Sequence, residues 1–484
     1  MKRRWLFFHT LGLLVFLGGP SSGWAFHTWK RAPLPNGMTL LVVEKPGVPV
    51  VSLTLLIERG ATSDPPDKSG LAMLTGHLLT EGTRQRSGEQ IDQRIAALGG
   101  EFVEDINFDY TTLDWAVLKE DLGAALELLA EVVRHPSFPP AEVERARTAA
   151  IAKRQAKTED TPEGLLMRHL FAPGLYGRPS SGEGVSLRRI TRADVIRFHH
   201  QTYRPEKMVL AAAGDLTLEE LESLVKKYFG DWTAPKKTQE ALPVVSVRKE
   251  PAVLVINRPL VQASVRLVFV GAPATSPAAP TLFLLSHLLG GSAESRLGQN
   301  LREQKRWVYS VQSAFEPFWQ TGLFYLDMSI PYEVILPALQ ETVREIFRLQ
   351  TEPVSAAELA QAKQELTTRF YFETENVRDL SRFLAEHEAS THGREPPDHV
   401  IEVLRSVTVD EVRRVARTYL DPQRVVVTVE GDPQALDKYA PTLAQGRLPR
   451  WPPPSEAGSH HGDGIQSTWA TLGEPSGAKE GRIQ

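Results

Sequence analysis

The chain has 484 residues, of which 42% are hydrophobic and 24% are charged, and it contains no cysteine. This length exceeds one ordinary domain, so we expect two to four domains with the composition of a soluble globular protein. The lack of cysteine excludes disulfides and cysteine-based zinc sites. The formal net charge of −4 disfavours nucleic acid as a partner.

The first 25 residues have the organisation of a secretory signal peptide. Three cations at residues 2–4 precede an apolar stretch at residues 5–18, which is too short to span a membrane comfortably. The small residues Gly23 and Ala25 predict cleavage after Ala25, so we expect an exported mature chain, periplasmic or extracellular, without a stable membrane span. An uncleaved anchor is the alternative. Cleavage would change the net charge to about −7.

Residues 70–83 read Gly-Leu-Ala-Met-Leu-Thr-Gly-His-Leu-Leu-Thr-Glu-Gly-Thr. They have the frame of a zinc-peptidase helix, in which two His four residues apart hold the metal and a Glu beside the second His activates water. Here Met73 replaces the first His and Gly76 replaces the Glu, and only His77 remains. A thioether is a poor zinc ligand beside imidazole, and glycine carries no base. The motif therefore predicts a peptidase-like helix that has lost its zinc chemistry.

The mature sequence consists of two related halves. Thr191 and Thr408 are each followed three residues later by an acidic residue, which predicts the capping box of a helix. Each predicted helix leads to an apolar run that ends at Gly214 or Gly431. The two Thr and the two Gly are both 217 residues apart, which indicates an internal repeat.

The beginnings of the halves also correspond. Residues 52–57 resemble residues 264–269, and His77-Leu-Leu parallels His287-Leu-Leu. Alternation in these strands predicts sheets with one covered face, and long amphipathic helices follow them. The predicted fold class is α+β, with two homologous halves, each of two sheet-plus-helix modules, in a clamshell arrangement.

Composition places the domain boundaries. The N-terminal half is predicted at residues 26–235, a polar linker with proline at residues 236–245, and the C-terminal half at residues 246–445. Residues 446–484 are rich in Pro, Gly, Ser and His and are predicted to be a disordered tail. The two His at residues 460–461 are interpreted as part of this solvated tail, with a weak metal contact as the alternative.

From about Leu34 to Ala440 the chain resembles the pitrilysin/insulinase-type (M16-like) zinc metallopeptidases, in the branch similar to mitochondrial processing peptidase. Any single matching motif is weak, but their order and spacing are specific. The motifs are the helix frame at residues 70–83, the Gly-Gly pair at residues 99–100, Tyr-Arg-Pro-Glu-Lys-Met at residues 203–208 with Gly-Asp at residues 214–215, and residues 289–297 with Leu-Arg-Glu at residues 301–303 and Tyr-Ser at residues 309–310.

The resemblance implies that further zinc-site residues are missing. The third zinc ligand of the family is a Glu on a later helix, and its position falls on Lys153, 76 residues after His77. The Asn that holds substrate in the family falls on Val103. We expect Lys153 to pair with Glu81 or Glu104 or to lie on the surface. We interpret His77 as structural and expect this chain to bind no zinc.

Arg302 and Tyr309 keep the seven-residue spacing of the family. The resemblance implies that this pair faces a zinc site across a chamber, where it contacts substrate and the developing oxyanion; guanidinium and phenol donors suit that role. The alternative is a surface Arg and a core Tyr. Arg306 and Trp307 replace the Gly-Leu of the family, so a different local turn is one expectation here.

Three functions follow from these residues. We favour a non-catalytic subunit of an exported heterodimeric zinc peptidase, which forms chamber wall and contributes Arg302 and Tyr309 to a homologous partner. That partner would carry the intact His-x-x-Glu-His site and the zinc, so the chain is expected to be inactive alone and to meet peptides or unfolded proteins as substrates. The alternative is a zinc-free peptide-binding or scaffold protein of the cell envelope. An autonomous enzyme with another metal site is disfavoured, because Gly291 lies four residues after His287 where an acid would be needed.

Overall fold

The computed structural model of the chain describes residues 27–156, 161–171, 174–233, 244–248 and 250–451. The predicted signal peptide, most of the linker and most of the tail lie outside the described residues. None of the helices in the described ranges has the length and apolarity needed to cross a bilayer.

Strands and helices alternate along both halves. The strands are β1 (Trp29–Pro33), β2 (Thr39–Glu44), β3 (Val50–Ile57), β4 (Phe102–Ile106), β5 (Thr111–Leu118), β6 (Met208–Gly214), β7 (Ala252–Asn257), β8 (Ala263–Gly271), β9 (Ser310–Pro317), β10 (Gly322–Ile330) and β11 (Val426–Gly431). The helices of the N-terminal half are α1 (Leu71–His77), α2 (Gly88–Leu98), α3 (Leu122–Arg134), α4 (Pro140–Ala156), α5 (Pro162–Phe171), α6 (Gly184–Arg189), α7 (Arg192–Thr202) and α8 (Leu218–Phe229). Those of the C-terminal half are α9 (Ala279–Gly290), α10 (Ile335–Thr351), α11 (Ala356–Glu373), α12 (Val377–Thr391), α13 (His399–Ser406), α14 (Val409–Tyr419), α15 (Pro433–Tyr439) and α16 (Pro441–Ala444).

The two sheets confirm the α+β class and the internal repeat. The first sheet has the order β1-β2-β6-β3-β5-β4 and the second has the order β7-β11-β8-β10-β9. Apart from the additional edge strand β1, the orders correspond strand by strand, and β2–β6 and β7–β11 are the parallel pairs. The predicted capping boxes are present at Thr191 and Thr408, at the starts of α7 and α14. Within the described residues each half holds one sheet, whereas the sequence predicted two sheet-plus-helix modules in each half.

The prediction of sheets with one covered face is wrong for the central strands. β3 and β6 are buried almost throughout, although β3 was expected to alternate. The reason is that each sheet is covered on its second face by a helix from the other half. α12 of the C-terminal half packs on β3 and β6, and α5 of the N-terminal half packs on β7 and β11. This exchange of helices joins the halves through two apolar clusters, which a local sequence pattern does not reveal.

The last described residues pack against the C-terminal half. The side chains of Leu448 and Trp451 lie against the core of this half, and the Trp451 indole N–H donates a hydrogen bond to the carbonyl of Pro422 at 3.2 Å. The start of the predicted tail, at residue 446, therefore includes residues that have tertiary contacts.

Candidate functional site

The helix α1, which carries the altered zinc motif, is fixed at its N-terminus by a buried carboxylate. Asp64 accepts hydrogen bonds from the backbone N–H of Gly70 and of Ala72, both at 2.7 Å. Gly70 has a φ of +95°, and a Cβ at this position would lie 2.8 Å from the Cα of Gly182, so only glycine fits. Burial raises the pKa of Asp64 to about 7. The helix is thus held by backbone contacts on its buried side, independently of any metal.

The position of the family's base is filled by a neighbouring apolar side chain. A Cβ added to Gly76 would lie 2.8 Å from the Cδ1 of Ile106, the last residue of β4. The same point lies 3.8 Å from the hydroxyl of Tyr203, which is buried and has no hydrogen-bond partner among the described residues. A longer side chain at Gly76 would therefore have to displace Ile106 from β4.

His77 links α1 to the edge strand β4. Its Nδ1 lies 2.8 Å from Oε1 of Glu104, and the two side chains are 36% and 30% exposed. Met73 is partly buried and packs against the core of the N-terminal half. Both contacts support the structural interpretation of His77.

The predicted position of the third zinc ligand carries a cation. Lys153 lies on α4, which packs against α1, and its side chain is exposed. Glu81 forms an ion pair with Arg145 at 2.7 Å, and Glu104 binds His77. The exposed side chain agrees with the surface interpretation of Lys153.

The donor set at α1 does not fit a zinc ion. One imidazole and the carboxylate of Glu104 are near each other, but a thioether, a glycine and a lysine stand where a site of this kind needs imidazole, base and carboxylate. Across the ranges that the structure describes, no three His, Asp or Glu side chains are grouped so that they could hold a metal.

Arg302 and Tyr309 lie at the start of the edge strand β9. Arg302 belongs to a short π-helix, Gly298–Gln304, and its side chain is 54% exposed, 3.8 Å from the carboxylate of Glu303. Tyr309 is 81% exposed and directly precedes β9, where its backbone N–H bonds the carbonyl of Ser329 at 3.3 Å. This exposure excludes the interpretation of Tyr309 as a core residue. Both donors are accessible to a second molecule.

The turn between Arg302 and Tyr309 contains a residue in the left-handed region. Arg306 has a φ of +55°, a conformation that glycine favours and that is unfavourable for other residues. Trp307 packs against the core of the C-terminal half, and the Lys305 ammonium lies 4.9 Å from its ring centroid. The turn therefore keeps a backbone suited to glycine although arginine occupies it.

Sequence reasoning missed a His–carboxylate pair in the C-terminal half. His287 on α9 donates from Nε2 to Oε2 of Glu365 on α11 at 2.6 Å, and burial lowers the pKa of His287. The sequence was searched for an acid only four residues after His287, whereas Glu365 follows 78 residues later. The repeat held the signal, since Lys153 follows His77 at nearly the same distance on the corresponding helix. A third ligand is lacking in the described part of the chain.

Comparisons with known proteins agree with these features. The family model "Insulinase (Peptidase family M16)" matches residues 39–182, and "Peptidase M16 inactive domain" matches residues 189–366. Uncharacterised zinc proteases of Mycobacterium bovis and Streptomyces coelicolor are 28% and 27% identical over 401 and 403 residues, which is 81% of this chain and 90% and 87% of theirs.

Solved structures show the same fold. A protease from Helicobacter pylori has a TM-score of 0.77 at 20% identity, and the match covers 84% of this chain and 100% of the other. A peptidase M16 inactive domain from Pseudomonas fluorescens has a TM-score of 0.76 at 23% identity, with 84% and 98% covered. Both family models and the relatives point the same way: the chain belongs to peptidase family M16, the pitrilysin/insulinase family.

Proposed function

We propose that this chain is the non-catalytic subunit of an exported heterodimeric zinc peptidase. It binds no zinc itself. It forms part of the wall of the substrate chamber and contributes Arg302 and Tyr309 to the active site of a homologous partner. The partner carries the intact His-x-x-Glu-His helix and its metal, and the substrate is a peptide or an unfolded protein.

One observation carries this proposal: the two functional regions of the family are altered unequally. At α1 the base position is occupied by Gly76 against Ile106, and the donors there do not fit zinc. At β9, Arg302 and Tyr309 are both exposed, and neither forms a side-chain hydrogen bond to another described residue. Guanidinium and phenol donors held outside the protein core are available to stabilise negative charge on a substrate bound by a second subunit.

The test is co-purification of the tagged mature chain from its own cells, followed by peptidase assays of the assembled pair. We expect a stoichiometric partner with an intact motif, zinc in the partner alone, and activity only in the complex. Replacing Arg302→Ala together with Tyr309→Phe should lower kcat/KM of the complex by about 10²–10³-fold, the effect of losing oxyanion donors. The control Arg424→Ala with Tyr439→Phe, away from β9, should leave the rate unchanged.

A second candidate function is a zinc-free peptide-binding or scaffold protein of the cell envelope. It is favoured by the sheet edges, because β4 and β9 each have one side without a paired strand among the described residues. An extended peptide can add to such an edge through main-chain hydrogen bonds. A chain that purifies without an M16 partner and binds unfolded polypeptides would replace the heterodimer proposal with this one. A full rate in the Arg302/Tyr309 variant complex would remove the role assigned to the pair.

A further inference from the structure

The helix that covers the second sheet leaves part of its face open. α5 has 10 residues, whereas α12, which covers the first sheet, has 15. At 1.5 Å per residue α5 is about 7.5 Å shorter. It packs on the apolar end of the face, at Val268, Leu323 and Val426. Beyond this end, α5 and the sheet enclose a cavity of about 430 Å³, a size common among sites for small ligands.

The charged groups that line this cavity are mainly acidic. Glu163, Asp327 and Glu430 contribute three carboxylates, and Arg266 contributes the one guanidinium of the lining. Arg266 donates from Nε and Nη2 to the two oxygens of Asp327, so that this pair is neutral. Glu430 also contacts Arg258 at 3.0 Å. The remaining excess of negative charge gives the cavity a potential that attracts cations.

Several hydrogen-bonding groups in the cavity are available to a ligand. Thr428 is only 4% exposed, and its hydroxyl forms no hydrogen bond within the described ranges. The hydroxyls of Ser264 and Ser310 and the amide of Gln312 line the same cavity and likewise lack side-chain partners there. Buried polar groups in proteins are usually paired, so the Thr428 hydroxyl in particular suggests a place for a polar ligand.

The first sheet shows which chemistry fills the equivalent space. Ser52 is the repeat equivalent of Ser264, and Thr54 lies opposite Asp114 as Arg266 lies opposite Asp327. Over the first sheet this space is occupied by α12 itself. The Ser381 hydroxyl lies 3.0 Å from that of Thr54, and the Arg382 guanidinium donates to Asp114 at 3.1 Å. A hydroxyl and a guanidinium from the other half thus occupy the site that the shorter α5 leaves open over the second sheet.

We propose that this cavity binds a cationic group on a short polar chain, a guanidinium or a primary ammonium. Glu430 and Glu163 face the positive charge, and Thr428 and Gln312 hydrogen-bond the polar chain. The cation belongs either to a side chain of a bound peptide or to a free small molecule. The proposal is independent of the heterodimer, because every lining residue belongs to this chain.

The test is isothermal titration calorimetry of the mature chain alone with three probes. N-acetyl-arginine amide represents a peptide side chain, agmatine represents a free cation, and N-acetyl-citrulline amide is the neutral counterpart of the first. We expect at least one cationic probe to bind saturably, with binding weakened by salt, and the citrulline probe to bind about tenfold more weakly or not at all. Preference for the arginine amide assigns a peptide ligand, and preference for agmatine assigns a free cation.

Variants locate the binding in the cavity. Glu430→Gln should weaken binding about tenfold, and Thr428→Val, which removes one hydroxyl at nearly constant volume, about fivefold. Glu402→Gln is the matched control, since Glu402 is 73% exposed and does not line the cavity, and it should leave the affinity unchanged. Thermal unfolding checks that each variant is folded. Equal binding of citrulline and arginine probes, or unchanged affinity in Glu430→Gln, would overturn the proposal.

Discussion

The helices α1 and α9 occupy equivalent places in the repeat, and each carries one His that binds a carboxylate. His77 binds Glu104 of a strand near the surface, with the imidazole 36% exposed. His287 binds Glu365 of a helix, with the imidazole only 4% exposed. The comparison teaches that one ancestral frame can keep a single polar residue for two structural purposes. In the N-terminal half the residue joins a helix to an edge strand, and in the C-terminal half it satisfies a buried helix–helix contact.

The largest expected effect concerns the base position of α1. Gly76→Glu should lower the free energy of unfolding by about 3 kcal/mol, because the side chain must displace Ile106 and place a carboxylate in a buried region. Denaturant unfolding measures the loss. The double variant with Ile106→Ala should be more stable than the sum of the single effects, since the smaller residue makes room. Simple additivity would show that Ile106 does not obstruct this position.

A pH dependence should distinguish the N-terminal half from its repeat. His199 on α7 is buried, donates from Nε2 to the carbonyl of Val133 at 2.8 Å, and has a pKa lowered by burial to about 4. The unfolded chain, with a His pKa near 6.5, binds more protons between these values. Stability should therefore be fully present above about pH 6.5 and fall as the pH drops towards 4, by about 3 kcal/mol at most.

The repeat supplies the comparison for this prediction. The position 217 residues after His199 is Ala416, which cannot titrate. The variant His199→Gln should have a flatter stability profile between pH 4 and 6.5 in urea unfolding than the unaltered chain. A profile of unchanged slope would assign the acid sensitivity to other groups.

The two His–carboxylate pairs should differ in their energetic contribution. Glu365→Gln should lower the free energy of unfolding by about 1–2 kcal/mol, because the weakened hydrogen bond belongs to a buried imidazole. Glu104→Gln should cost less than about 1 kcal/mol, since its partner is substantially exposed and screened by solvent. Both variants replace Glu with Gln, so each controls the other in the same unfolding assay. Equal losses would contradict the distinction between the two helices.

The smallest expected effect lies in the turn before Tyr309. Arg306→Gly should raise the free energy of unfolding by about 0.5–1 kcal/mol, because glycine adopts the left-handed region without the strain that arginine has there. Arg447→Gly, at a position for which no left-handed φ is found, is the control and should not stabilise the chain. A destabilised Arg306→Gly variant would mean that contacts of the arginine outweigh the strain.

Much of the site could be predicted from residues close together in sequence. The altered motif at Met73, Gly76 and His77 lies in one helical turn and a half, and the repeat is a comparison of two segments of the same chain. The exposure of Tyr309 could not be predicted, because an aromatic residue beside a strand suits the core as well as the surface. The Glu365 partner of His287 was missed because its helix is reached only after two strands and another helix.

By itself the sequence determined the family, the two halves and the substitutions at the zinc helix, because these are encoded in local spacing and in residue chemistry. Only the tertiary structure decided which helix covers each sheet, where Ile106 and the Tyr203 hydroxyl lie, and where a polar cavity remains beneath α5. The hydroxyls of Thr54 and Ser381, which meet at 3.0 Å, are 327 positions apart in the chain. Contacts at such separations depend on how the whole chain packs, and hydrophobic periodicity is the same whichever half supplies the covering helix.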